Sequence, residues 1–335
     1  MEIPDQMRAM VLEEPGQPLK WLEVPVPQPG PEQVLIRVHT CGVCRTDLHV
    51  VDGELPHPKL PLILGHEIVG TVVAAGSAVR QFKVGERLGV PWLGYTCGAC
   101  RYCRGGRENL CEQALFTGWD RDGGYAGKTA VRAAFAVRLP ERFADLAAAP
   151  LLCGGVIGYR ALRVCGIRPG ERLGLFGFGA SALLAIQVAV HWGCQVFVAT
   201  RSPAEQRRAL DMGAEWAGSY DEPPPLPLDA AVTFAPVGEV VVAALRALDR
   251  GGVVAINAIH LDRIPEFPYD LLWWERQIRS VANFTRRDAQ DFIDLAARIP
   301  IHTVAEPYPL AEANTALQRL KEGRVSGAAV LLTGR

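Results

Sequence analysis

The 335-residue chain has almost no net charge: 35 basic residues against 36 acidic ones leave −1. That lack of imbalance argues against whole classes of partner, because neither nucleic acid nor an anionic membrane surface is offered a general electrostatic footing. The opening Met-Glu-Ile-Pro-Asp-Gln-Met lacks the basic and apolar regions of a secretory leader, so a cytoplasmic location is expected. An unbroken membrane span is also missing, since the most apolar stretch, 174–190, is interrupted by Gly177 and Gly179 as strand, turn and helix would require. Internal repeats are absent. With 49% hydrophobic and 21% charged residues, the chain has the composition of a soluble globular protein long enough for two domains.

What the chain does have is patterned cysteine. Cys97, Cys100, Cys103 and Cys111 fall within fifteen residues, in a run with little apolar material from which to build a core. Tetrahedral thiolate coordination of zinc would fix such a loop, and two-residue spacings suit chelation better than a pair of disulfides or merely buried thiols. A site closed by four cysteines leaves no position for substrate, so this zinc is expected to be structural and the chemistry to lie elsewhere.

The first 150 residues read as short strands at 34–39, 68–74, 87–90 and 128–132, punctuated by Gly and Pro. From about residue 152 strands alternate with helices. Strands are expected at 172–176, 196–199, 230–234 and 253–256, with helices at 181–192, 203–212 and 240–248. Repeated strand–helix–strand units predict an α/β domain with a doubly wound parallel sheet. Ser202, Pro203 and Glu205 have the order of a capping box with proline at the first helical position. The Pro-rich 222–227 is a loop within this domain, and 288–299 and 311–321 read as amphipathic helices.

Gly177-Phe178-Gly179-Ala180-Ser181-Ala182 follows the strand at 172–176 and opens the next helix. The glycines allow a tight turn and close approach to a pyrophosphate, which the helix N-terminus favours; Ala182 stands at the third position of the fingerprint. An NAD site normally carries an acid at the end of the following strand. Here that end is Thr200-Arg201-Ser202, with no acid before Glu205, so a 2′-phosphate and hence NADP is expected in preference to NAD.

Cys44-Arg45-Thr46-Asp47-Leu48-His49, Gly65-His66-Glu67 and the Cys153 of Leu152-Cys153-Gly154 each say little alone. Together with the four-cysteine run and the glycine fingerprint, in this order, the chain resembles the zinc-dependent alcohol dehydrogenases of the medium-chain dehydrogenase/reductase superfamily. The resemblance implies a β-rich GroES-like catalytic domain over 1–152 and 285–335, with a structural zinc lobe at about 92–114, and a Rossmann domain over 153–284. It also implies two zinc ions per chain, the catalytic one held by Cys44, His66 and Cys153, with Asp47 and Glu67 in the shell behind them. Thr46 would hydrogen-bond the substrate oxygen, His49 would end a proton relay, Arg45 would meet the pyrophosphate, and Leu55 and Trp92 would narrow the substrate pocket.

The implied activity is reversible hydride transfer between a small primary, or also secondary, alcohol and NAD(P), in a homodimer or homotetramer. A polyol dehydrogenase of the same superfamily is the nearest rival; Cys153 argues against it, because such enzymes commonly place Glu there. A non-catalytic cofactor- or zinc-binding module on the same fold is the alternative from another class. Cys41, Cys165 and Cys194 read as buried thiols, and His39, His57, His191 and His302 as structural or solvated.

Overall fold

The computed structural model describes residues 3–56 and 58–334; His57 lies outside them. The chain divides into two compact units. The first comprises Met1–Cys153, Thr285–Ala297 and His302–Arg335, and the second Gly154–Phe284 and Arg298–Ile301.

The first unit is built around the strand Gln33–Val43, whose run of Val, Leu and Ile suits a strand buried on both faces. It pairs antiparallel with Glu67–Ala75 on one side; on the other it meets Lys128–Arg132 along its first half and Ala328–Leu332 along its second. Arg87–Val90, Val137–Arg138 and Ala305–Pro309 complete this sheet. The pairing is interrupted between Val38↔Gly70 and Thr40↔Val69, so His39 is the extra residue of a bulge. At the far end the register Gly42↔Glu67 brings Cys44 and His66, just beyond the paired residues, next to each other. A separate sheet orders Lys20–Pro25, Gln6–Leu12 and Leu62–Ile63. The core between them is fully buried Met10, Leu12, Leu35, Ile36, Leu62 and Leu64, among others.

The second unit is a six-stranded parallel sheet in the order Trp216–Gly218, Gln195–Ala199, Arg172–Phe176, Leu228–Thr233, Leu248–Ile256 and Gln277–Ser280. Numbered along the chain, that is 3-2-1-4-5-6, the order of a dinucleotide-binding doubly wound sheet. The helices Gly154–Cys165, Ala180–His191, Pro203–Asp211 and Gly238–Ala247 belong to this unit. Most expected elements of this unit shift by a residue or two, as helix ends commonly do, but the strand expected at 253–256 begins at Leu248. One expectation is corrected in part. Ser202 caps the helix Pro203–Asp211 by accepting from the Glu205 amide at 3.3 Å, but the Glu205 carboxylate turns to the Thr200 hydroxyl, so only half of the capping box is made.

By length and composition alone the helical run Asp145–Cys165 could cross a membrane; it is made of three successive pieces, and 61% of its most apolar window is buried in the protein.

Candidate metal centre and dinucleotide site

Three segments of the first unit deliver the candidate ligands. Cys44 is the N-cap of the helix Arg45–Val51, His66 follows Gly65 in its left-handed turn (φ 98°), and Cys153 ends the 3₁₀ turn Ala149–Leu152. Gly65 has no alternative, because a Cβ there would lie 2.4 Å from the Tyr125 ring. The ligand atoms of Cys44, His66, Glu67 and Cys153 all lie within 4.8 Å of one another.

This donor set fits zinc. Cys44 Sγ and Cys153 Sγ are 3.6 Å apart, too far for a disulfide and close to the roughly 3.8 Å that two Zn–S bonds of about 2.3 Å subtend at a tetrahedral centre. His66 Nε2 is buried and has no hydrogen-bond partner among the described residues, while Nδ1 lies 3.4 Å from Asp47 Oδ1. One imidazole nitrogen is thus held from behind and the other turned to the sulfurs, the arrangement of a metal-ligating histidine. The electrostatics agree. The Cys153 thiol beside it, with help from His66, holds Cys44 well below the usual thiol range. Cys153 is pushed up by the same partner and by burial. Burial would depress His66, but Asp47 and Cys44 outweigh it and raise it. Glu67 is raised by burial and the charge of Cys44. Cys153 and Glu67, whose ionisation burial and the charge of Cys44 oppose, are the groups that a cation among them would relieve.

Glu67 was expected behind the ligands, yet its carboxylate reaches the ligand cluster itself, through space left by Gly42, where a Cβ would lie 1.9 Å from Oε2. Asp47 does lie behind them: its Oδ2 accepts from the Cys44 amide at 2.8 Å and from the Tyr125 hydroxyl at 3.2 Å. Thr46 Oγ1 lies 3.7 Å from Cys44 Sγ. His49 Nδ1 is paired with Glu54, and Arg45 is exposed. The Trp92 ring is 6.1 Å from that of His66 and stacks on Phe116 at 4.3 Å, which in turn stacks on Trp119 at 5.5 Å. Leu55 is half-buried against the core of this unit. Glu54, Gly42, Tyr125 and Phe116 were not singled out in the sequence; only register and through-space packing reveal them.

In the lobe, Cys97–Cys103, Cys100–Cys103 and Cys97–Cys111 sulfurs are 3.9, 3.5 and 3.6 Å apart. The amides of Cys100 and Cys103 point at the sulfurs of Cys97 and Cys100, at 3.3 and 3.5 Å. Amides of Ala99 and Cys100 bring Cys97 down to about 6. All four cysteines are free thiols. The set therefore fits a second, closed zinc site.

In the second unit, Gly177 takes φ 92°, and a Cβ there would lie 2.9 Å from the Ala235 amide nitrogen. Gly179 caps the helix Ala180–His191, and a Cβ there would meet nothing within 4 Å, which leaves the helix N-terminus approachable. Ser181 lies in its first turn and Ala182 is fully buried. Thr200 is buried at the end of the neighbouring strand and Arg201 is exposed.

A β-rich unit carrying a thiolate–imidazole cluster, in one chain with a 3-2-1-4-5-6 parallel sheet, defines the class of metal-dependent dinucleotide dehydrogenases. Residues 30–141 match the alcohol dehydrogenase GroES-like domain family and 182–298 the zinc-binding dehydrogenase family. The probable alcohol dehydrogenase AdhA of Mycobacterium tuberculosis is 51% identical over 94% of this chain and 93% of its own. A cobalt- and zinc-bound thermostable alcohol dehydrogenase from Pyrobaculum aerophilum is similar in structure, with a TM-score of 0.88 and 28% identity over 98% of this chain and 99% of that one. So is acetophenone reductase from Geotrichum candidum in complex with NAD, with a TM-score of 0.88 and 25% identity over 99% and 98%. The chain belongs to the zinc-binding alcohol dehydrogenase family of the medium-chain dehydrogenase/reductase superfamily.

Proposed function

We propose that the chain is a zinc-dependent alcohol dehydrogenase (EC 1.1.1.-, as 1.1.1.1 or 1.1.1.2) that interconverts small primary alcohols and aldehydes, and secondary alcohols and ketones, by hydride transfer to and from NAD(P). The observation that carries this reading is the convergence of Cys44, His66 and Cys153 within 4.8 Å. Zinc held there would supply Lewis acidity toward a substrate oxygen. The protein's own groups do the rest. Asp47 ties the Cys44 amide to His66 Nδ1 and so holds two ligands in one frame. The Thr46 hydroxyl, next to Cys44, is placed to exchange a proton with the substrate, and Glu54 fixes the ring of His49, which passes that proton on. Trp92, stacked on Phe116, forms a rigid wall that favours slender substrates, with Leu55 as a further lining residue.

The catalytic residues belong to the first unit, and Gly177, Gly179, Ala180, Ser181 and Ala182 hold the cofactor in the second. The two donor sets support the reading of two zinc ions per chain. Preference for NADP rests on exposed Arg201 at the N-terminus of the helix Pro203–Asp211, with Thr200 and Ser202 beside it. A homodimer or homotetramer is the expected assembly. The edge strand Gln277–Ser280 is mostly exposed and follows Trp273 and Trp274, which are 50% and 48% exposed, so a second copy would cover both. We place the protein in the cytoplasm.

Metal analysis with absorbance at 340 nm tests the core of the proposal. About two zinc ions per chain and alcohol-dependent reduction of NAD(P) are expected; cofactor binding without turnover would favour a non-catalytic module, and full activity in Cys44→Ala would refute the site.

A further inference from the structure

A hydrogen-bonded chain remote from the metal centre joins the three segments that carry its ligands. Thr71 Oγ1 lies 3.1 Å from His39 Nε2, and His39 Nδ1 lies 2.8 Å from Asp145 Oδ2. Arg87 Nε donates to Asp145 Oδ1 at 2.6 Å, and its NH2 group donates to the Phe143 carbonyl at 2.8 Å. The Thr40 hydroxyl donates to the Asp145 carbonyl at 3.1 Å.

Three of these side chains lie on segments that lead to a ligand: His39 and Thr71 in the middle of their strands, and Asp145 at the start of its helical run. His39 precedes Cys44 by five residues on the central strand, and Thr71 follows His66 by five on its neighbour. Asp145 precedes Cys153 by eight and begins a continuous helical rod, Asp145–Ala148 then Ala149–Leu152. The strand arms are about 17 Å long at 3.3 Å per residue, and the helical arm about 14 Å. Residues 148–152 of the rod are buried, and Leu152 packs so closely on Gly89 that a Cβ there would lie 2.6 Å from it. A buried rod of this kind transmits a displacement at one end to the other.

The bulge gives the arrangement its particular form. His39 is the unpaired extra residue between Val38 and Thr40, and its ring bridges a strand hydroxyl and the first residue of the rod. A regular strand would meet the sheet's hydrogen-bonding needs without it, and bulges serve to re-aim side chains near sites.

From this geometry we infer that Asp145, through His39 and Thr71, is a positioning residue for the metal centre: it sets the register of the Cys153 rod against the strands that carry Cys44 and His66. The inference rests on the proposed zinc ligation by those three residues. Arg87 keeps the Asp145 carboxylate paired on its other oxygen, so that both oxygens are committed and the rod has one seating.

The test uses the full-length protein loaded with zinc, and in parallel with cobalt, whose thiolate charge-transfer absorption reports ligand geometry. Release of metal to an excess of chelating dye is followed in wild type, Asp145→Ala, His39→Ala and Thr71→Val. Loss of a partner bonded directly to a metal ligand typically costs 10–100-fold in metal affinity, and a network acting along the rod and strands is expected at the low end of that range. We expect about tenfold faster release from the catalytic site in Asp145→Ala, a changed cobalt band, and unchanged release from the four-cysteine site. Asp145→Asn, which keeps a hydrogen-bonding group at both oxygen positions, should recover most of the wild-type behaviour. Release and spectrum within twofold of wild type in both Asp145→Ala and His39→Ala, even with a lowered melting temperature, would reduce the network to a fold brace and overturn the inference. If Asp145→Ala does not fold, Thr71→Val, which leaves no charge unpaired, decides by the same two readouts. Cys153→Ser is the control. If it retains as much metal as wild type, the ligand assignment itself has failed, a result distinct from failure of the positioning role.

Discussion

Glu108 and Arg286 join the four-cysteine lobe to a distant part of the same unit. Glu108 lies in the turn before Cys111, with its side chain 11% exposed, and accepts from the Arg286 guanidinium at 2.6–3.0 Å and from the Arg286 amide at 2.8 Å. The carboxylate therefore also caps the helix Arg286–Arg298, while the guanidinium lies 4.8 Å above the Phe135 ring. Removing Arg286 leaves a nearly buried carboxylate without its counter-charge, though the helix amide remains. An unpaired buried charge costs about 3–5 kcal/mol, and because the Arg286 side chain is 45% exposed the figure is discounted to about 2 kcal/mol. Arg286→Ala should lose that much. The double variant Glu108→Gln/Arg286→Ala should recover most of it, because a neutral amide needs no counter-charge. Urea unfolding of the single and double variants gives the coupling energy. It should also depend on pH with a definite sign. Arg286 outweighs burial and holds Glu108 below the usual carboxylate range, so the coupling is fully present above the unfolded-state value and disappears as pH falls through the lowered folded one. A coupling below about 0.5 kcal/mol at pH 7, or one that grows on acidification, would refute the reasoning.

Three further outcomes follow from the proposed sites. Arg201→Ala should lower kcat/KM with NADP about tenfold, the worth of one charge-assisted phosphate contact, and leave NAD little changed, whereas Glu205→Gln should favour NADP by removing a carboxylate held at Thr200; a clear wild-type preference for NAD would defeat both. Trp92→Ala should open the wall beside His66 and raise relative efficiency on branched secondary alcohols, as a series of straight and branched substrates would report; an unchanged ranking would make Trp92 a packing residue.

Much of the parallel sheet was legible because its inner strands and helices differ in period: Arg172–Phe176, the glycine turn and the helix after it announce themselves within twenty residues. The edge strands Trp216–Gly218 and Gln277–Ser280 did not, being short and carrying little apolar alternation. In the first unit the strand Gln33–Val43 was visible but not its bulge, since bulging depends on the partner's register. The candidate ligands came from resemblance rather than spacing, because 109 residues separate Cys44 from Cys153. The reach of Glu67 into the ligand cluster could not be read at all. It depends on the missing side chain at Gly42, which only the strand pairing places opposite it.

The exposed edge strand Gln277–Ser280 has a practical consequence for anyone handling the protein. Its unused backbone groups, with two exposed indoles just before them, form a ready template for another strand. The proposed self-association and precipitation would then compete for the same edge. Dilution, which favours separated chains, would work against storage life, and covering the edge would shield Trp273 and Trp274 from an added quencher.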